Sequence, residues 1–113
     1  MLLDTAVIDE VRDTLGDDTY RRFAERMLAE VVETTANLHV LLAKGDHETL
    51  ARAAHRTCGS AAGTGAKGLH ALLKEIENTA RAPSGAAALP ALIALLPTRA
   101  EETRKALDAH IPS

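Results

Sequence analysis

The feature that most constrains the fold of this chain is a hydrophobic period of three to four residues that recurs along most of its length. Such a period places apolar side chains on one face of an α-helix, which must then pack against other elements. No segment of β-strand length alternates apolar and polar residues. The sequence therefore predicts an all-α fold. The longest apolar stripe contains Tyr20, Phe23, Met27, Val31, Thr34, Leu38 and Leu41.

Capping and turn-forming residues divide the first half of the chain into three predicted helices. A short helix is expected over Thr5 to Leu15, and Asp17 or Asp18 is expected to cap the second helix, which carries the long stripe. Asp46 is expected to cap the third, because a carboxylate accepts hydrogen bonds from the free amide groups at a helix start. This third helix is predicted to end at the run Gly63-Thr64-Gly65, which favours a turn.

Two further helices are predicted in the second half of the chain. The fourth ends before Pro83, and Ser84 is available to cap the fifth. Pro97 must kink or divide the fifth helix, since proline lacks an amide donor. Because short links between long helices favour antiparallel packing, residues 1–113 are predicted to form one domain, an antiparallel four-helix bundle with an additional short N-terminal helix. The apolar positions are Leu69, Leu72, Leu73, Ile76 and Ala80 in the fourth helix, and Leu89, Leu92, Leu96, Ala100, Thr103 and Leu107 in the fifth.

The composition excludes several classes of function. The single cysteine, Cys58, cannot form an intrachain disulfide and leaves no cysteine cluster for zinc. The glutamate and histidine pairs of di-iron bundles are also missing, so no metal or other cofactor is predicted for this chain. The net charge is −3, and the chain has one tyrosine, one phenylalanine and no tryptophan. It therefore lacks the basic surface and the stacking side chains that nucleic-acid binding requires.

The sequence carries no signal for a membrane or for export. Its longest apolar stretch, residues 86–97, contains proline and is shorter than the roughly 20 residues that cross a bilayer. The N-terminus has no basic region before an apolar core, which a secretory signal needs. We expect a cytoplasmic monomer that does not bind membranes.

One histidine, His55, lies in an unusual setting on the third predicted helix. Helical geometry places it opposite Leu50, Ala53 and Thr57, which belong to the core stripe, so its imidazole is expected to face solvent. The other four histidines lack comparable surroundings. The neighbours on its own face are mostly too small to cover the ring. These neighbours are Glu48, Ala51, Arg52, Cys58, Gly59 and Ala62. The predicted phosphoryl-stabilising or partner-docking surface comprises Ala51, Arg52, Arg56, Cys58, Gly59 and Ala62.

Gly59 is the most informative of these neighbours. A glycine in the middle of a helix costs about 0.5 to 1 kcal/mol relative to alanine, so it needs a local reason. One turn from His55, it leaves a hollow through which a second macromolecule can bring a reactive group to the imidazole. Neutral imidazole is a competent nucleophile near physiological pH. Arg52 and Arg56 flank this face and are placed to compensate a dianionic group delivered to the ring.

The segment around His55 resembles the signature of histidine-containing phosphotransfer (HPt) domains. The run AAHRTCGSAAGTGAKGL, from Ala53 to Leu69, is similar to the pattern A-H-x-L-K-G-S-A-x-x-x-G-A followed by a leucine. Downstream, Ile76, Glu77 and Arg81 suit the leucine-glutamate pair and the later arginine that often follow. The residues that fall on the pattern are His55, Gly59, Ser60, Ala61, Gly65, Ala66 and Leu69.

This resemblance implies a four-helix bundle that relays a phosphoryl group between receiver-domain aspartates in a two-component phosphorelay. His55 would accept and donate the phosphoryl group. Such a protein is a phosphocarrier without kinase activity of its own, which agrees with the absence of a phosphate-binding G-x-x-x-x-G-K-[ST] loop. The implied partners are receiver domains or a hybrid histidine kinase, and the implied magnesium ion belongs to the receiver.

The sequence departs from the pattern at three positions. Cys58 replaces a lysine, Thr57 replaces a leucine, and Gly63 stands where a small polar residue is common. The lysine matters most, because its ammonium would lie one turn from the phosphorylated ring and offset the charge. We expect Arg52 or Arg56 to take this role. Two alternatives stay open: a receiver- or kinase-binding regulatory module that uses the same face without carrying phosphate, and a structural bundle in which the histidine is incidental.

Overall fold

A computed structural model describes residues 1–112, which form six α-helices and no β-strand. The prediction of an all-α fold is therefore confirmed. A single 3₁₀ turn, Ala86–Ala88, precedes the fifth helix. The helices are α1 Thr5–Leu15, α2 Asp17–Lys44, α3 His47–Gly63, α4 Lys67–Arg81, α5 Leu89–Ala94 and α6 Leu96–His110.

The long helices pack as a closed bundle. Helix α3 packs against both α2 and α4, and α5 and α6 pack against α4 on one side and α2 on the other. Because the turns between successive long helices are short, neighbouring helices run antiparallel. Helix α1 packs on α2, and the molecule measures 43 × 21 × 19 Å. The predicted four-helix bundle with a short N-terminal helix is thus observed.

The bundle core contains almost all of the predicted apolar stripes, but Phe23 is an exception. Its side chain is exposed on the flank of α2 that faces α3. Ala24 and Leu28 are buried instead, because α6 packs against that side of α2. The inward face of α2 is therefore rotated away from Phe23 in its first turns, which the spacing alone did not predict.

Helix caps were predicted correctly at one position and wrongly at two. Asp46 caps α3 by accepting a hydrogen bond from the amide of Thr49 at 3.1 Å, as expected. Neither Asp17 nor Asp18 caps α2, because Gly16 holds the cap position and both aspartates lie in the first turn. The Asp17 carboxylate instead pairs with Arg12 at 2.9 Å. Ser84 does not cap α5 either, because a turn and the 3₁₀ segment separate them.

A proline lies in the first turn of each of the last two helices. The predicted long fifth helix is divided at Leu95, so that Pro90 and Pro97 each fall in the first turn of a helix. A missing amide donor is harmless there, because the first turn has no acceptor for it.

The turn between α3 and α4 is fixed by the N-terminal segment, and this orients the helix pair that carries the site. The amide of Asp4 donates to the carbonyl oxygen of Gly65 at 2.8 Å, and the amide of Gly68 donates to the carbonyl oxygen of Leu2 at 2.9 Å. Gly65 has a φ of +75°, and a Cβ there would lie 2.7 Å from the side chain of Ile8. Only glycine therefore allows this close approach.

A buried hydroxyl pair joins α2 to α3 in the core. The Oγ1 atoms of Thr34 and Thr57 lie 2.7 Å apart, and Thr57 is fully buried. Thr57 therefore occurs without an unsatisfied polar group at the position where the HPt pattern has leucine.

Candidate functional site

The candidate site is centred on His55, in the middle of α3. Its side chain is 65% exposed, and its Nδ1 atom lies 3.1 Å from Oε1 of Glu77 on α4. When Nδ1 carries the ring proton and donates a hydrogen bond to this carboxylate, Nε2 keeps its lone pair. Within residues 1–112, Nε2 has no hydrogen-bond partner. The prediction that His55 faces solvent is confirmed. The contact with Glu77 also fixes the orientation of the imidazole ring.

Glu77 is a nearly buried carboxylate, with a side chain only 7% exposed. Besides His55, it contacts Lys74 through Oε1 at 3.4 Å and Arg81 through Oε2 at 3.3 Å. Burial raises the pKa of Glu77, but hydrogen bonds from His55 and Lys74 outweigh it and hold the pKa below its ordinary value. The group is therefore an anion at neutral pH and can accept a hydrogen bond from Nδ1–H.

The predicted surface around His55 is exposed on one flank only. Arg52, Arg56, Gly59 and Ala62 are exposed, as is Glu48. Ala51 and Cys58 are buried, so the prediction that they belong to the exposed surface is wrong. The physical reason is α4, which packs along the flank of α3 that carries these two positions. Only the opposite flank remains open to a partner.

Cys58 interacts with α4 and not with His55. Its Sγ lies 3.1 Å from Nδ1 of His70, and the same nitrogen lies 3.2 Å from the carbonyl oxygen of Cys58. Burial raises the pKa of the Cys58 thiol. The thiol is therefore neutral and packed between the helices, unlike the exposed, activated thiolates of cysteine enzymes.

Gly59 has no packing reason among residues 1–112. A Cβ at this position would have no neighbouring atom within 4 Å. The destabilisation that a mid-helix glycine causes is thus not offset by a close intramolecular contact. The open space beside His55 is what the sequence predicted at this position.

Sequence reasoning missed the role of three charged residues on α4. The HPt pattern includes Glu77 and Arg81 but assigns neither a function, and it does not include Lys74. A signal was present, since Lys74, Glu77 and Arg81 are three and four residues apart and therefore share one face of the helix. Glu77 also lies among the apolar positions of α4, where a carboxylate requires partners.

The described residues contain neither a metal-binding cluster nor a membrane-spanning helix. Among residues 1–112, no group of three or more histidine, cysteine or acidic side chains is arranged to hold a metal ion. None of the helices in the same range is both long and apolar enough to span a membrane.

Comparison with known proteins assigns the family. The model of the Hpt domain family matches residues 22–109, which include His55, Glu77 and most of the bundle. The chain therefore belongs to the Hpt domain family. No curated protein and no solved structure shows a significant match. Hpt domains are phosphocarriers that act with receiver domains and histidine kinases in two-component systems.

Proposed function

We propose that this protein relays a phosphoryl group between receiver-domain aspartates by carrying it on Nε2 of His55. One observation carries the proposal: an exposed imidazole whose Nδ1 atom is held 3.1 Å from a nearly buried carboxylate. This arrangement selects the tautomer in which the outward nitrogen is nucleophilic. It is the arrangement expected of a group that must meet a partner's phosphoryl group directly.

The transfer step needs no proton movement within this chain. The Nε2 lone pair attacks the phosphorus of an aspartyl phosphate, the N–P bond forms, and the P–O bond to the aspartate breaks. The aspartate leaves with the bonding electron pair as a carboxylate. The imidazole ring then carries positive charge, and Glu77 stabilises it through the Nδ1 proton. Donation to a second receiver is the same step in reverse.

The open flank of α3 suits a macromolecular partner. Gly59 and Ala62 present little side-chain bulk, while Arg52 and Arg56 are exposed beside them. Exposed cations at the rim of an interface accelerate association with an acidic partner. A receiver domain, which brings its own magnesium ion and acidic site, is the partner we propose. The chain would supply the nucleophile, and we propose that it binds no cofactor itself.

Incubation with phosphorylated receiver domains and magnesium tests the proposal. The wild-type protein should acquire acid-labile, base-stable phosphate, and His55→Gln should not. The matched control is His39→Gln, which changes another exposed helical histidine and should leave labelling intact. Receiver binding without labelling would favour a regulatory module that carries no phosphate, for which the loss of the lysine at position 58 would be the relevant departure.

A further inference from the structure

The carboxylate of Glu77 is paired on both of its oxygen atoms. Oε1 lies 3.1 Å from Nδ1 of His55 and 3.4 Å from Nζ of Lys74, whereas Oε2 lies 3.3 Å from the guanidinium group of Arg81. If Lys74 moved away, Arg81 and His55 would still partner the carboxylate. Loss of Arg81 would instead leave Oε2 without a partner among residues 1–112, so Lys74 is the cation that this cluster can release.

Lys74 is also free to move, and it lies beside the imidazole. Its side chain is 49% exposed, and its ammonium group ends a flexible four-carbon stem. Nζ and the Nδ1 atom of His55 contact the same carboxylate oxygen. Burial raises the pKa of the Cys58 thiol, and the nearby charge of Lys74 offsets only part of that rise. A mobile cation of α4 thus lies near Cys58, the position at which the HPt pattern has a lysine and this chain has no charge.

We propose that Lys74 binds the phosphoryl group while His55 carries it, an inference that rests on the proposed function. Before transfer, the ammonium group pairs with Glu77. Once the N–P bond has formed, the dianionic phosphoryl group attracts the ammonium, and Arg81 remains on the other oxygen of the carboxylate. The cation stabilises the dianion, and the phosphohistidine hydrolyses more slowly.

The lifetime of the phosphohistidine tests this role without a partner protein. Phosphoramidate, a small phosphoryl donor, is used to label the full chain, and mass spectrometry follows loss of phosphate from His55. The variants are Lys74→Gln, Lys74→Arg as the conservative replacement, Arg81→Gln, which removes the other cation from Glu77, and Arg52→Gln, which removes an exposed cation of α3. A ³¹P NMR titration of each labelled protein reports the pKa of the phosphoryl group, which a purely structural role of Lys74 would not change.

Lys74→Gln should shorten the lifetime about two- to fivefold, the range expected for one partly exposed ion pair, and should raise the phosphoryl pKa. Lys74→Arg should retain the wild-type lifetime, and Arg81→Gln should change it little. Equal effects of Lys74→Gln and Arg81→Gln would overturn the inference, because Lys74 would then act only through Glu77. A shortened lifetime in Arg52→Gln but not in Lys74→Gln would also overturn it. If His55 takes no label from phosphoramidate or from receivers, the proposed function fails and the role of Lys74 fails with it.

Discussion

The substitution Glu77→Gln tests how the fold prepares His55 for transfer. It preserves the size of a nearly buried side chain but removes the charge 3.1 Å from Nδ1. The glutamine amide can also present its NH₂ group to Nδ1. That contact favours the tautomer with the proton on Nε2, and this tautomer has no lone pair available for attack on phosphorus.

The magnitude of the effect follows from the contact that is lost. A hydrogen bond to a charged partner contributes about 1.5 to 3 kcal/mol, and each 1.4 kcal/mol corresponds to roughly a tenfold change in rate. We therefore expect transfer to His55 to be about ten- to a hundredfold slower in Glu77→Gln. Lys74 and Arg81 lose a partner too, but both are about half exposed and remain solvated. The change in folding stability should accordingly be small.

The assay is the rate of phosphoryl transfer from a phosphorylated receiver, measured by rapid quench at a fixed pH. Thermal unfolding of the same samples verifies that the variant is folded. Glu75→Gln, an exposed glutamate on the same helix, is the matched control and should transfer at the wild-type rate. A folded Glu77→Gln that transfers within twofold of wild type would refute the assigned role of the carboxylate.

Three further predictions concern other parts of the molecule. Gly59→Leu should stabilise the helix by a few tenths of a kcal/mol up to about 1 kcal/mol, since its Cβ meets open space. The leucine side chain should nevertheless slow phosphoryl transfer from a receiver about tenfold or more, because it displaces the partner. Faster or unchanged transfer would mean that no partner approaches at Gly59. Thr57→Val should destabilise the fold by about 1 to 3 kcal/mol, because it leaves the Thr34 hydroxyl unpaired. In urea unfolding, the double variant Thr34→Val/Thr57→Val should recover most of that loss. Additive losses from the two substitutions would contradict the pairing. Burial raises the pKa of Tyr20 to about 12, so the absorbance of its tyrosinate form should appear only near that pH in the folded protein. Because the unfolded chain loses this proton near pH 10, the free energy of unfolding should fall as pH rises from about 10 towards 12. Ionisation of Tyr20 near pH 10 in the folded protein would contradict its burial.

Much of the fold could be predicted from the sequence because it depends on local chemistry. Helical spacing identified the buried faces of α3 and α4, and Asp46 was recognised as a cap from its position before an apolar run. Phe23 and Asp17 were misplaced for a different reason. Their environments depend on which helix packs nearby and on a pair with Arg12, and neither is encoded in the period of a single helix.

Part of the candidate site could also be predicted from the sequence, where it depends on a single helix. The exposure of His55 and the open space at Gly59 follow from the geometry of one helix, and the structure has both. The burial of Cys58 and the contact between His55 and Glu77 depend on the rotation of α4 against α3, which the sequence does not specify. The cations on α4 were missed for the same reason.

The most direct test of the relay is a two-step transfer through His55. The protein is phosphorylated by one receiver, separated from it, and incubated with a second, unphosphorylated receiver and magnesium. We expect phosphate to leave His55 and to appear as a base-labile aspartyl phosphate on the second receiver. Phosphate that stays on His55 until it hydrolyses, or transfer that survives in His55→Gln, would show that His55 does not relay the phosphoryl group.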